Sequence, residues 1–216
     1  MTLAKICGLN DAAGLDAAIA GGADMIGLNF FPPSPRFLSP EAAAALSAQM
    51  PAQEDGAPLR VGLFVDATDD AIAAVLAATE LDMLQLHGAE TPERAAALRQ
   101  RFALPVMKVL GIATPADLDA LDAFAPVADA FLLDAKPPPG ATLPGGNAVR
   151  FDWSLLAGRP IPRPWLLAGG LTPENVAEAV RATGAPGVDV SSGVERARGV
   201  KDPARIADFL RAARGA

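Results

Sequence analysis

The chain has 216 residues, of which 51% are hydrophobic, and its 18 basic and 25 acidic residues give a formal net charge of −7. This acidic balance argues against nucleic acid or an anionic membrane as a partner, because both require a basic face. A single Cys and a single His, far apart in the sequence, exclude an intrachain disulfide and argue against a zinc site. With no signal peptide and no apolar run long enough to span a bilayer, we expect a soluble, cytoplasmic protein.

Short apolar runs alternate with Ala-rich stretches along the chain. In order, the runs are LAKICG, DMIGLNF, RVGLFV, DMLQLHG, PVMKVLG, DAFLLDA, PWLLAGG and GVDVSSG. Each has strand length and is mostly apolar, as is typical of buried parallel strands. Eight strand–helix repeats in 216 residues leave about 27 residues for each, near the minimum for one βα unit. We therefore predict an α/β fold, a small single-domain (β/α)8 TIM barrel over residues 1–216.

An open, doubly wound sheet is the alternative fold. Eight units would make that sheet unusually wide, and no G-x-G-x-x-G follows the first apolar run. The barrel is therefore the favoured prediction.

Helix starts are indicated where Ser, Thr or Asp precedes Pro, because the side-chain oxygen caps free N–H groups and Pro fits the first helical position. This pattern predicts N-caps at Ser39, Thr91, Thr114, Thr172 and Asp202. Acidic residues that suit the first turn follow in three of these stretches, namely Glu41, Glu93 and Glu174. The helix that carries Val176 and Val180 on one face is predicted to end at Gly184.

Polar residues lie at the predicted carboxyl ends of the strands, which is where (β/α)8 barrels place their active sites. They are Cys7, Asp66, Gln85, His87, Asp134, Asp189, Ser191 and Ser192. Side chains alternate sides along a strand, so Lys5 and Cys7 share a side, as do Gln85 and His87. The residues between them are apolar and suit the helix-facing side. We expect the polar groups to converge on one mouth.

Two glycine-rich segments, LAGGLTPENV and DVSSGVE, follow the seventh and eighth strands. The loops at these positions commonly bind phosphate in (β/α)8 barrels, because glycine lets backbone N–H groups approach an anion. The sequence therefore predicts a phosphorylated substrate. A third segment, 135–150, is rich in Pro and Gly and is predicted to be a long loop after strand 6, of the kind that is usually functional or mobile.

The order of KICGL, GADMIGLNFFPPSPRFLS, VGLFVD, LQLHGAE, LLDAK, FDW, LAGGLTPENV and DVSSGVE…GVKD resembles the phosphoribosylanthranilate isomerase family of tryptophan biosynthesis. The matches cover nearly the whole chain. The resemblance implies a (β/α)8 barrel without metal or organic cofactor, working as a monomer or homodimer. It implies the Amadori rearrangement of N-(5-phosphoribosyl)anthranilate to the carboxyphenylamino-deoxyribulose phosphate.

The resemblance also implies roles for individual residues. Cys7 matches the family's general base and Asp134 its general acid, while Arg36 matches a substrate-binding arginine. Gln85 and His87 are expected to support substrate binding. The phosphate-binding positions fall on Gly169, Gly170, Ser191, Ser192 and Gly193. The family's G-G-T-G or G-G-S-G before FDW is replaced here by GGNAV, with Asn147 and Ala148 in the last two places of that motif, so the detailed role of this loop departs from the pattern.

Other interpretations are open at this stage. Cys7 as inert core packing is one of them, since free Cys is commonly buried. Lys108, predicted to lie at the end of the fifth strand, would suit a Schiff-base aldolase if it were desolvated. An indole-glycerol-phosphate synthase would need catalytic Lys and Glu residues that we cannot assign. A catalytically inactive binding barrel is disfavoured because both Cys7 and Asp134 are present.

The protonation states pose a question, since an ordinary thiol (pKa about 8.5) and carboxyl (about 3.9) are both mostly in the wrong form at neutral pH. We expect burial under a bound aromatic substrate to raise the pKa of Asp134, and the positive charge of Lys5 to lower that of Cys7. Without substrate, we expect a thiol and a carboxylate.

Overall fold

The computed structural model describes residues 1–51, 56–137, 140–141, 143–146 and 150–216. Eight parallel strands close into a barrel in chain order. They are β1 Leu3–Cys7, β2 Met25–Asn29, β3 Leu59–Phe64, β4 Met83–Leu86, β5 Val106–Ile112, β6 Ala130–Ala135, β7 Trp165–Leu167 and β8 Gly187–Val190. β1 pairs with both β2 and β8, so the first and last strands of the barrel close it. The predicted (β/α)8 barrel is confirmed.

Helices pack around the barrel, and a short hairpin follows β8. The helices are α1 Ala12–Ala20, α2 Pro40–Ser47, α3 Asp69–Ala78, α4 Pro92–Phe102, α5 Ala120–Phe124, α6 Val176–Thr183 and α7 Pro203–Arg214. The hairpin strands are β9 Glu195–Ala197 and β10 Val200–Lys201, and 3-10 turns span Pro115–Asp119, Trp153–Leu156 and Ser192–Val194. Within the described ranges, no helix is both long and apolar enough to cross a membrane.

The predicted N-caps at Ser39, Thr91 and Asp202 are confirmed, because each side chain accepts a hydrogen bond from a backbone N–H in the first turn of its helix. Thr114 precedes a 3-10 turn that runs into α5. Such caps typically contribute about 1 kcal/mol each.

The predicted helix start at Thr172 is wrong. α6 begins only at Val176, so Glu174 also lies outside its first turn. The physical reason is Asn175, whose Oδ1 accepts from the Thr172 N–H at 2.9 Å and whose Nδ2 donates to the Gly170 carbonyl at 3.0 Å. These bonds form a separate turn that holds the glycine-rich loop in place. The predicted end at Gly184 is confirmed, with a left-handed φ of 65°.

The barrel has two apolar layers, as the alternation of side chains predicts. Ile6, Leu86 and Leu133 belong to the layer between strands and helices. A second cluster fills the barrel interior with Met107, Val109, Ala130, Leu132, Leu166 and Ala168. Because Leu132 faces this interior, Asp134, two residues later on β6, points to the same side at the mouth.

Asp66 lies in the loop after β3 rather than in the strand. β3 ends at Phe64, so Asp66 does not end a strand as predicted; it lies in a turn with a positive φ of 47°. Its carboxylate accepts from the Ala89 N–H at 2.8 Å, tying the loops after β3 and β4 together.

In segment 135–150, β6 extends to Ala135, and the residues described after it contain no helix or strand. Asn147 and Ala148 lie outside the described residues.

Candidate active site

Two adjoining clefts open at the carboxyl ends of the barrel strands. One, of about 480 Å³, is lined in part by Cys7, Arg36, Gln85, His87 and Asp134. The other, of about 410 Å³, is lined in part by Gly169, Gly170, Ser191, Ser192 and Gly193. Both clefts also share Asp134, Asp189 and Gly145 as lining residues. The structure therefore brings together all of the predicted polar site residues except Asp66, which lines neither cleft.

Cys7 ends β1 and is 5% exposed. Lys5 lies on the same side of the strand, fully buried, and its Nζ donates to Asp189 Oδ1 at 2.7 Å. Gly27 on β2 leaves the space for both, because a Cβ there would lie 2.8 Å from Cys7 Sγ and 3.1 Å from Lys5 Nζ. A side chain at position 27 would therefore displace the thiol or the ammonium.

The pKa of the Cys7 thiol is raised above 9.0. Burial is the largest cause and the Asp189 carboxylate adds to it, while the positive charges of Lys5 and Lys201 act in the opposite direction. Lys5 stays charged: burial is the largest influence and acts to lower its pKa, but Asp189 and Cys7 together outweigh burial and the pKa is raised. Lys5 thus has the predicted effect on the thiol, but the effect is too small to offset burial.

Asp134 keeps its proton to a much higher pH than an ordinary carboxyl group does. Burial, with the nearby Asp189 carboxylate adding to it, raises its pKa from 3.8 to about 7, against the opposing effects of the Ala135 N–H and Lys5. The Ala135 N–H donates to Asp134 Oδ1 at 2.8 Å, which fixes the carboxyl group at the mouth. Near neutral pH a large fraction of Asp134 is therefore protonated, as a general acid requires.

His87 is held as a neutral imidazole beside Asp134. Its pKa is lowered to about 3 by burial and by the charges of Lys5 and Lys108. Gln85 Nε2 lies 3.4 Å from His87 Nδ1, and His87 Nε2 lies 3.6 Å from Asp134 Oδ2. The His87 ring also hydrogen-bonds the Pro144 backbone, and its distance to the Asp134 carboxyl group is longer than a hydrogen bond. His87 is therefore a neutral ring packed beside Asp134 and is poorly suited to act as a base.

Arg36 is held by an acidic residue that the sequence analysis did not single out. Its Nε and Nη2 donate to Glu195 Oε1 and Oε2 at 2.6 and 3.0 Å. Glu195 is also contacted by Lys201 Nζ at 3.2 Å, and Lys201 in turn donates to the Ser191 carbonyl at 2.8 Å. This network joins the loop after β2 to the loop after β8. Glu195 is the last residue of the motif DVSSGVE, so the sequence analysis included this residue but assigned it no role.

The two glycine-rich loops form the second cleft. Gly169 and Gly170 both have left-handed φ values, 88° and 62°, and their N–H groups donate no hydrogen bond to the described part of the chain. A Cβ on Gly193 would collide with the Leu171 carbonyl, so the loops after β7 and β8 touch there. Backbone N–H groups that line a cleft and are left unbonded within the described ranges suit an oxyanion such as phosphate.

Lys108 lies in a buried ion pair near the start of β5 (Val106–Ile112), not at the end of the strand as predicted. Its Nζ donates to Glu90 Oε2 at 2.7 Å and to the Gly88 carbonyl at 2.8 Å. Glu90 also accepts from the N–H groups of Asp66 and Gly88, and Lys108 lines neither cleft. An amine with these partners is poorly placed to attack a carbonyl, so the geometry disfavours the aldolase. The pair instead braces the loop that follows His87.

A closed (β/α)8 barrel with titratable side chains and glycine-rich loops gathered at one mouth is the architecture of a barrel enzyme. The family model described as N-(5′-phosphoribosyl)anthranilate (PRA) isomerase matches residues 4–212. The chain belongs to this family.

Individual proteins of this family are similar to the chain over nearly its whole length. The N-(5′-phosphoribosyl)anthranilate isomerase of Rhodospirillum rubrum is 59% identical over 213 residues, covering 99% of this chain and 98% of the relative. That of Paracoccus denitrificans is 61% identical over 206 residues, covering 95% and 94%. The crystal structure of the Thermotoga maritima enzyme aligns over 100% of both chains, with TM-score 0.87 and 36% identity. A phosphoribosyl anthranilate isomerase in complex with reduced 1-(o-carboxyphenylamino)-1-deoxyribulose 5-phosphate aligns over 100% of both chains, with TM-score 0.85 and 33% identity.

Proposed function

We propose that this chain isomerises N-(5-phospho-β-D-ribosyl)anthranilate to 1-(2-carboxyphenylamino)-1-deoxy-D-ribulose 5-phosphate, with Asp134 as general acid and Cys7 as general base. One observation carries the assignment of roles. A protonatable carboxyl and a thiol lie on β6 and β1 at the mouth of one barrel, and Asp134 also lines the cleft between the two glycine-rich loops. A sugar phosphate anchored in that cleft would lie between them.

The acid acts first. The Asp134 proton passes to the ribose ring oxygen, the bond from this oxygen to C1 breaks, and the aniline nitrogen supplies the electron pair that forms a protonated Schiff base. The raised pKa of about 7 keeps this proton available at neutral pH. The Ala135 N–H orients the carboxyl group, and His87, neutral and 3.6 Å away, packs beside it without competing for the proton.

The base acts second. The Cys7 thiolate removes the proton from C2, the C2–H electrons form a C1–C2 double bond, and the Schiff-base π electrons return to nitrogen. The resulting enolamine tautomerises to the aminoketone. Because the pKa of Cys7 is raised, the thiolate is a minor species, and Lys5 is the nearby cation that favours it.

The remaining predicted residues bind the substrate. Gly169, Gly170, Ser191, Ser192 and Gly193 offer backbone and hydroxyl groups to the phosphate. Arg36 Nη1, which makes no hydrogen bond to the described residues, is available to the anthranilate carboxylate. Gln85 Oε1 is buried and unpaired within the same ranges, so it can accept a hydrogen bond from a substrate hydroxyl or amine.

The direct test is the decay of phosphoribosylanthranilate fluorescence on addition of the protein, repeated with Cys7→Ser and Asp134→Asn. We expect the wild-type chain to turn the substrate over and each variant to lose at least about 100-fold in kcat/KM. Full activity in either variant would refute the role given to that residue. Absence of wild-type turnover would refute the proposed reaction itself. Borohydride trapping with a carbonyl substrate tests the aldolase alternative, which requires an adduct on Lys108.

We infer that the enzyme works in the cytoplasm as a monomer or homodimer. Among described residues, no helix suits a membrane, and the Thermotoga maritima relative is described as dimeric. Light scattering on the purified chain distinguishes the two states.

A further inference from the structure

The β9–β10 hairpin places two arginines at the rim of the site. Arg196 and Arg198 are both exposed. They line a surface groove together with Arg36, Gly146 and Ser192. Ser192 also belongs to the phosphate cleft, and Arg36 and Gly146 also line the cleft that contains Cys7. The groove therefore leads from the protein surface into both halves of the site.

The hairpin is braced against the loops that form the site. At its tip, the Gly199 N–H donates to Glu195 Oε2 at 3.0 Å, and its carbonyl accepts from Asn10 Nδ2 at 3.1 Å. Gly199 also has a positive φ of 79°, and a Cβ there would lie 2.6 Å from the Pro35 carbonyl. These contacts fix the backbone that carries the arginines, so the two charges stay beside the mouth.

One acid, Glu195, also lines the groove, but its carboxylate is paired with Arg36 and Lys201 rather than with the two arginines. Neither forms an ion pair with any residue that the structure describes, whereas Arg205, further along the chain, pairs with Glu174 at 3.2 Å. The protein as a whole carries a net charge of −7. A substrate with a phosphate and a carboxylate carries about three negative charges at neutral pH. The overall field of the protein repels such a molecule, and a local positive rim offsets that repulsion.

We propose that Arg196 and Arg198 form an electrostatic capture site that draws the phosphate and carboxylate of the substrate into the mouth. The proposal rests on the proposed function and adds a specificity for polyanionic sugar phosphates that the catalytic pair does not provide. Because both side chains are exposed, their effect is long-range attraction rather than fixed hydrogen bonds. It raises kcat/KM, depends on ionic strength, and leaves kcat within about twofold.

The test compares Arg196→Gln/Arg198→Gln with the wild type and with Arg181→Gln/Arg211→Gln. The control pair removes the same charge from exposed positions in the last turns of α6 and α7, at the opposite end of the barrel. Steady-state kinetics are measured from about 0.01 M salt, where the Debye length is about 30 Å, to about 1 M, where it is about 3 Å. We expect the rim variant to lose about 3- to 10-fold in kcat/KM at low salt and less than twofold at high salt.

The control should follow the wild-type salt dependence within about twofold. Equal salt dependence in all three proteins would overturn the capture site, as would a loss in the rim variant that persists at 1 M salt. A charge-reversed variant, Arg196→Glu/Arg198→Glu, should lower kcat/KM further at low salt. If the proposed reaction were wrong, the wild type would show no turnover at any salt concentration, so the two failures are distinguishable.

Discussion

Glu195 holds the guanidinium of Arg36 through two charged hydrogen bonds, from Nε at 2.6 Å and from Nη2 at 3.0 Å. The two side chains are 5% exposed each. Two parallel bonds fix the plane of a guanidinium as well as its position. Glu195 therefore directs the third nitrogen of Arg36, Nη1, toward the cleft in which we place the anthranilate carboxylate.

Glu195→Ala should raise KM about 10-fold, with a smaller effect on kcat, because Arg36 loses its fixed orientation. It should also lower Tm, since removing one partner of a buried ion pair typically costs about 3–5 kcal/mol. Steady-state kinetics and thermal unfolding measure the two effects. Glu174→Gln, which alters an exposed pair with Arg205, is the matched control and should change neither. A lower KM in Glu195→Ala would mean that the lost negative charge matters more than the lost orientation.

The pH dependence of kcat/KM should be bell-shaped, rising up to about pH 7 and falling only above pH 9. The active form needs protonated Asp134 and ionised Cys7, yet the acid has a pKa of about 7 and the base a pKa above 9.0. kcat/KM therefore rises with pH while Cys7 begins to ionise, and it levels off near pH 7, where Asp134 starts to lose its proton. It falls only when Cys7 is fully ionised, so the break at lower pH gives the pKa of Asp134 and the break at higher pH gives that of Cys7. Between the limbs, a fraction of about 1% or less is active. A falling limb near pH 7, measured at substrate concentrations well below KM, would contradict this order of pKa values.

Lys5→Met should raise the pKa of the Cys7 thiol further and lower kcat/KM, because it removes the cation that opposes burial and leaves Asp189 unpaired. Thiolate absorbance near 240 nm, referenced to a Cys7→Ser protein, gives the titration. Lys108→Met is the control, since it also removes a buried ammonium but one that pairs with Glu90. An unchanged thiol pKa in Lys5→Met would remove Lys5 from the mechanism.

Asp134→Asn should stabilise the fold at alkaline pH. Because the folded-state pKa of about 7 lies above the unfolded value near 3.8, the carboxyl group favours folding fully below pH 3.8 and loses that contribution as pH rises through 7. This rise in pKa corresponds to a change of about 4 kcal/mol at most in the free energy of unfolding. We expect a higher Tm for the variant than for the wild type at pH 8.5 and a much smaller difference at pH 4.5. A Tm difference that does not change between these pH values would contradict the raised pKa.

Gly170→Val should raise KM for the phosphorylated substrate by about 10-fold or more. Gly170 has a φ of 62°, a conformation that a β-branched residue adopts only with strain, so the free N–H groups of the loop would move. Gly158→Val is the control, because its φ is 69° and a Cβ there meets no atom within 4 Å. Comparable loss of stability with KM raised only in Gly170→Val would support phosphate binding at this loop. An unchanged KM would exclude it.

Local patterns in the sequence were enough to predict the barrel. Strand-length apolar runs gave the number of strands, and the alternation of Ile6 with Lys5 and Cys7 gave the inward side. The prediction at Thr172 failed because Asn175 forms bonds that no N-cap pattern anticipates. Contacts between distant segments were also missed: Arg36 and Glu195 are 159 residues apart, so neither residue's neighbours reveal the other.

The ion pair between Lys5 and Asp189 determines when activity can first appear during synthesis of the chain. The two residues are 184 positions apart, on the first and last strands of the barrel, and β1 has no second neighbour until β8 arrives. A nascent chain that lacks β8 would carry the thiol of Cys7 without the carboxylate that pairs with Lys5, and without one of the two loops that we assign to the phosphate. Catalytic competence therefore arrives in a single late step, and an incompletely translated chain would have no partial activity.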